Sequence, residues 1–146
     1  MRRISIVSML LLLTAALNAQ NFVSTVPANR NVILEEFTGS YCQYCPEGHK
    51  LAKELAAAHP DNIFIVNLHA GTYATSEFET TDGNAINSGF VVSSFPSGLV
   101  NRMTEKSISR GEWGASIQQQ MSQAAECNIA GQVAIDKETR KATVTV

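Results

Sequence analysis

Two apolar rhythms divide the chain. Val32, Ile33, Leu34 and Phe37 form a near-continuous apolar run closed by Gly39, the pattern of a strand buried on both faces of a parallel sheet. After Cys45 the rhythm becomes helical. Leu51, Ala52, Leu55 and Ala56 share one stripe, and Lys50, Lys53 and Glu54 fall elsewhere. Pro46 is tolerated only in a first turn, so the helix starts close to Cys42, and Pro60 stops it. Ile63 to Leu68 reads as a second buried strand. A strand–helix–strand unit of this length predicts parallel pairing through a right-handed crossover.

The pattern then loosens. Gly71 to Gly89 is rich in Thr, Ser, Gly and Asn, with Asp82 placed to cap a short helix carrying Ile86 and Phe90. Phe95-Pro96 leads into a short strand expected from Gly98 to Arg102, and a weaker strand signal lies near Ser107–Ser109. Ser109 and Glu112 have the capping-box spacing for a last helix. Its buried stripe is Trp113, Ile117 and Met121, and its end is expected near Glu126. The tail alternates, Val133 and Ile135 then Val144 and Val146, around the polar turn Asp136 to Lys141. It predicts a β-hairpin, and a lone hairpin is marginal in water. The tail therefore reads as the beginning of a β-rich segment that continues past residue 146.

The N-terminal residues 1–19 follow the order of a secretory signal: basic Arg2 and Arg3, an apolar stretch centred on Leu10–Leu13, then small residues ending at Ala19. Cleavage is expected after Ala19, leaving no transmembrane span, because the apolar run is shorter than the ~20 residues that a spanning helix needs. The export places the mature chain in the periplasm, at the outer membrane, or outside the cell. Residues 20–30 form a polar leader, 31–126 one domain, and 127–146 the β segment. The net charge of −2, with mixed signs, argues against nucleic acid or an anionic membrane as the main partner.

Export changes the meaning of the cysteines, because disulfides persist in oxidising compartments. Cys42 and Cys45 are three apart at the start of a helix and can close a small ring. A thiolate there sits near unpaired N–H groups at the positive end of the helix dipole, which lowers its pKa and makes it a nucleophile at neutral pH. Cys127 is left over, and is read as a small buried residue at a domain junction. Two other roles compete. Cys42, Cys45 and His49 have C-x2-C-x3-H spacing, with His69 further on, and these donors suit zinc or copper. No second cysteine pair accompanies them, so His49 is read as a solvated or core-edge histidine, with no metal or cofactor expected. Alternatively, the pair merely staples a turn in a cell-envelope binding or assembly module.

The order of elements, with Cys42-Gln43-Tyr44-Cys45 at the strand-to-helix turn, Glu36 six residues earlier and Phe95-Pro96 opening a later strand, resembles the thioredoxin fold. EEFTGSYCQYCPEGH and FPSGLVNR together resemble the exported outer-membrane-protein-twenty-eight-related family, whose members carry a thioredoxin-like domain followed by a β domain. The resemblance implies an α/β, thioredoxin-like three-layer fold with a mixed central sheet. It also implies thiol–disulfide exchange with protein thiols and disulfides and an unnamed redox partner. Cys42 would be the exposed nucleophile and Cys45 the buried resolving thiol. Glu36 would take the proton from Cys45, Pro96 would be cis and face the sulfurs, Phe95 would offer main chain to an extended substrate, and Tyr41 would shield one side. Glu35 competes with Glu36 for the inward face, since a one-residue slip swaps them. Gln43-Tyr44 replaces the Gly-Pro of the reducing thioredoxins, which leaves the direction of electron flow open.

Overall fold

The computed structural model describes residues 23–146. The expected export signal, residues 1–19, and its expected cleavage point lie outside the described residues. The described chain falls into two compact units, Asn29–Ala124 and a second made of Ala125–Val146 with the described residues up to Ala28.

The first unit is built on a four-stranded mixed sheet. β1 (Val32–Thr38) runs parallel to β2 (Ile63–His69), in step from Val32↔Ile63 to Thr38↔His69, with α1 (Cys45–Ala58) as the crossover. β3 (Ser97–Val100) lies antiparallel on the other side of β1, Glu36 opposite Gly98, and β4 (Ile108–Ser109) closes that edge, giving the order β2-β1-β3-β4. The core joins Val32, Leu34, Ile63 and Val100 of the sheet to Ala52 of α1 and to Trp113 and Ile117 of α3 (Arg110–Met121). Helices α1 and α3 therefore share one sheet face. On the opposite face Phe37 and Leu99 are fully buried, and Phe90, just past α2 (Thr81–Gly89), lies under the Arg102 guanidinium. This is the α/β thioredoxin-like layout.

Four local expectations change. The pattern predicts a buried strand at Ile63 to Leu68. β2 is an edge strand, and on its outer face Phe64 and Val66 are exposed beside Ile33 of β1. The cap of α2 is Thr80, whose Oγ1 accepts from the Gly83 N–H at 2.9 Å; Asp82 sits inside the first turn. β3 begins one residue early, at Ser97, and ends two early, at Val100, because Asn101 and Arg102 take left-handed backbone (φ 49° and 51°). The Asn101 amide then stands in for a strand, accepting from Ile33 N–H at 2.8 Å and donating to Asn31 O at 3.1 Å. α3 stops at Met121, not near Glu126. The Ser122 hydroxyl donates to Gln119 O, and the chain turns to pair Ala124 with Asn29. At the other end of α3 the Glu112 carboxylate accepts from the Ser109 N–H and hydroxyl, as the capping spacing anticipates.

In the second unit β5 (Gln132–Ile135) and β6 (Ala142–Thr145) form the expected antiparallel hairpin. Asp136 Oδ1 accepts from Glu138 and Thr139 N–H in its turn. Asn128 donates to Ser24 O and Val26 O, tying the loop after Ala125 to the leader. Cys127 is a free, exposed thiol, contrary to the buried position expected of it. It lies in an irregular segment between Ala124 and β5.

Candidate functional site

The site begins where β1 ends. Gly39 has no side chain because any Cβ there would enter the Tyr73 backbone. Tyr41 N–H donates to Tyr73 O at 3.0 Å and Cys42 N–H to Gly39 O at 3.1 Å, so the chain turns tightly towards α1. The helix starts at Cys45 with Pro46 in its first turn. Cys42 stands three residues ahead of the helix and not on its first turn. Cys45 N–H still reaches Cys42 O at 3.3 Å.

Cys42 and Cys45 are joined by a disulfide, their Cα atoms 5.4 Å apart. Cys42 is 8 % exposed and Cys45 1 %. The expected order of access holds, but in the disulfide state Cys42 is largely covered and not an open thiol. Tyr41 and Tyr44 project into solvent on either side of it in sequence, so Tyr41 covers little.

Both acids of β1 are buried, on opposite faces. Glu35 turns away from the helices and is clamped by Arg102, whose Nε donates to Oε2 at 2.7 Å while Nη2 donates to Oε1. That clamp leaves Glu36 as the acid under α1. Its Oε2 lies 3.0 Å from His49 Nδ1, and His49 Nε2 lies 3.2 Å from Thr38 Oγ1. Its Oε1 has no hydrogen-bond partner among the described residues. Burial pushes the Glu36 carboxyl above the ordinary range, and the charge and hydrogen bond of His49 offset part of that rise. A carboxyl held high in the folded state binds a proton that the unfolded chain has already lost, so stability falls as pH rises from the ordinary carboxyl range through the folded value. Urea unfolding of the wild type should show that fall. Glu36→Gln, which cannot ionise, should be flatter with pH and should gain on the wild type towards neutrality.

Gly48, one turn beyond Cys45, brings these parts together. A Cβ there would lie 2.7 Å from Glu36 Oε1 and 2.8 Å from Pro96 Cγ. A mid-helix glycine costs up to ~1 kcal/mol in helix propensity, and here it lets the helix, the buried acid and the proline ring meet. Gly48→Ala should regain that propensity yet lose more through overpacking, which typically costs about 1–3 kcal/mol. A net drop in the urea midpoint is the expected result.

The Phe95–Pro96 bond is cis. Phe95 packs edge-on to Tyr73 with ring centres 5.5 Å apart. Phe95, Pro96, Tyr44, Ser109 and Arg110 line an open cleft of about 310 Å³. Arg110 had no signal in the sequence beyond its place at the start of α3. It donates to Tyr44 O at 3.2 Å and pairs with Glu47 of α1 at 2.7 Å, which pins the loop between the cysteines to α3. His49 also takes a role that the sequence did not suggest; its position four residues after Cys45, one helical turn on, was the available clue. His69 packs against Phe78 with the rings tilted at 43° and their centres 5.3 Å apart. Among the described residues no three His, Cys, Asp or Glu side chains gather as a metal site, and no helix is long and apolar enough to cross a membrane.

The sequence matches no protein-family model and no curated protein. Among solved structures it is similar to HBP35 of Porphyromonas gingivalis, with a TM-score of 0.52 and 20% identity over 74% of this chain. The match takes in 37% of HBP35, so this chain spans little more than a third of that protein. A second match, titled "Structure of a malarial protein", has a TM-score of 0.44 and 16% identity, covering 63% of this chain and 99% of that one. The likeness to HBP35 is one of fold.

Proposed function

We propose that this chain is an exported thiol–disulfide oxidoreductase acting on protein disulfides through Cys42 and Cys45. The observation that carries this is the placement of the Cys42–Cys45 disulfide. It stands at the turn entering α1, with Cys42 less covered than Cys45, and Tyr44 between the cysteines lines a cleft with Phe95 and Pro96. Reduced Cys42, as thiolate, attacks a substrate disulfide and forms a mixed disulfide. Cys45 then displaces the substrate sulfur and restores the intramolecular bond. Reversing the steps oxidises a substrate dithiol. Phe95 and Pro96 seat the extended substrate segment along the cleft. The basic-then-apolar N-terminus supports export to the periplasm or the outer membrane. The quoted motifs support kinship with the outer-membrane-protein-twenty-eight-related family.

Equilibration of the chain with glutathione buffers, followed by thiol trapping, tests the proposal. A reversible Cys42–Cys45 couple is expected. A value near thioredoxin's, about −270 mV, would mark a reductase, and one near about −120 mV an oxidant. A pair that never exchanges would overturn the proposal. One observation would then favour a binding or assembly module with a stapled turn: the exposed Ile33, Phe64 and Val66 on adjacent strands, an apolar surface of the kind that marks protein contacts.

A further inference from the structure

Glu36 is fully buried, so it exchanges protons with solvent only through a neighbour. Its hydrogen-bond partner among the described residues is His49, whose side chain is 32% exposed. His49 lines a cleft of about 340 Å³ with Glu36, Ala52, Lys53, Ile65 and Asn67. This cleft is separate from the one beside Phe95 and Pro96. The acid thus touches the sulfur-bearing helix at one oxygen, Oε1 against Gly48, and a partly exposed imidazole at the other. The titratable groups that face it are His49 and Lys53 from α1 and, at the end of β2 opposite Thr38, His69. β3 contributes Gly98, which carries no charge.

Resting on the dithiol-exchange proposal, we propose that His49 is the proton outlet of the site, a positioning and relay residue that connects buried Glu36 to the second cleft. Both ring nitrogens of His49 are engaged, Nδ1 with Glu36 and Nε2 with Thr38; the relay runs through the tautomer in which Nε2–H donates to Thr38 Oγ1 and Nδ1 accepts from the protonated Glu36 carboxyl. During substrate reduction Cys45 Sγ attacks the Cys42 sulfur of the mixed disulfide. The Cys45–Cys42 bond forms and the bond from Cys42 to the substrate breaks. The substrate sulfur leaves with the electron pair as a thiolate, so the protein dithiol is oxidised and the substrate disulfide reduced. The Cys45 proton is taken up at Glu36 Oε1 while the proton on Oε2 crosses to His49 Nδ1. The imidazolium ring turns from Glu36 into the cleft, releases its Nδ1 proton to water there and returns with Nε2–H retained, and reorientation of the carboxyl resets the pair. Solvent protonates the departing thiolate.

Two measurements on the full chain test this. The first is the NMR ring titration of His49 in the oxidised and reduced protein. Reduction should move its midpoint, and Glu36→Gln should abolish the movement. An unmoved midpoint in the wild type overturns the proposal without need of any variant. The second is single-turnover reduction of a peptide disulfide. His49→Gln should leave mixed-disulfide formation unchanged and slow the resolving step about tenfold or more near pH 7, within the range of acid–base effects, with added imidazole restoring part of the rate. A wild-type resolving rate, or a slow one that imidazole does not rescue, overturns the relay while the exchange function stands. If the wild type forms no mixed disulfide at all, the exchange function fails and the relay falls with it.

Discussion

Cys42→Ser should reduce disulfide exchange to the uncatalysed background, while Cys45→Ser should still react once and then accumulate as a mixed disulfide with its substrate. The asymmetry follows from position. Cys42 lies in the turn ahead of α1 and is the more accessible sulfur, whereas Cys45 is the first residue of the helix and almost wholly covered. Attack on an incoming disulfide therefore falls to Cys42, and release of the product needs Cys45 as the second thiol. Both variants lose the same small ring, worth about 2 kcal/mol on the chain-entropy account, so a shared loss of stability cannot produce opposite trapping behaviour. Non-reducing gels with mass spectrometry of the trapped species would check it. Equal exchange by both variants would remove the enzymatic function. Trapping by Cys42→Ser instead would reverse the roles of the two sulfurs.

Trp113→Ala should be the most damaging core substitution, at about 3–5 kcal/mol. Trp113 is the largest fully buried side chain and packs with Val32, Leu34, Val100 and Ile117 where α3 meets the sheet. Gly98 makes room for it, since a Cβ there would come within 3.0 Å of Trp113 Nε1. Small domains are stable by only about 5–15 kcal/mol in all, so the variant should be near the limit of folding at 37 °C. The loss should also reach the site, because α3 begins at Arg110, which holds the Tyr44 carbonyl, and β3 opens directly after Pro96. Urea denaturation should show a large fall in midpoint with little change in slope. A loss below about 1 kcal/mol would mean that the helix–sheet seam is not the centre of the core.

Much of the framework was legible in local pattern. The apolar run at Val32, the helical stripe after Cys45 and the run at Ile63 announced β1, α1 and β2, because burial imposes a period that side-chain order alone reveals. Pro46 and Pro60 bracketed α1 for a covalent reason. The Ser109–Glu112 spacing located the start of α3. The ends of elements were less legible. Thr80 and not Asp82 caps α2, and β3 ends at Val100 because Asn101 substitutes its amide for strand pairing, a choice that depends on Ile33 and Asn31 far away in sequence. The exposure of Phe64 and Val66 was hidden for a similar reason. An apolar run does not say whether its strand is central or at an edge.

The site divides along the same line. Residue type and short-range spacing sufficed for the Cys-x-x-Cys pair at a strand-to-helix turn, an acid in the preceding strand and a Phe-Pro at the head of a later one. Long-range packing chose which of Glu35 and Glu36 lies under the helix. Both are buried, and Arg102, more than sixty positions on, claims the first. It likewise decided that His49 meets Glu36, that Arg110 secures the loop between the cysteines, and that Cys127 is exposed. The fates of Glu35 and Glu36 rest on which distant groups share a buried, low-dielectric space. There an unpaired charge is too costly to leave alone, and no local pattern encodes its partner.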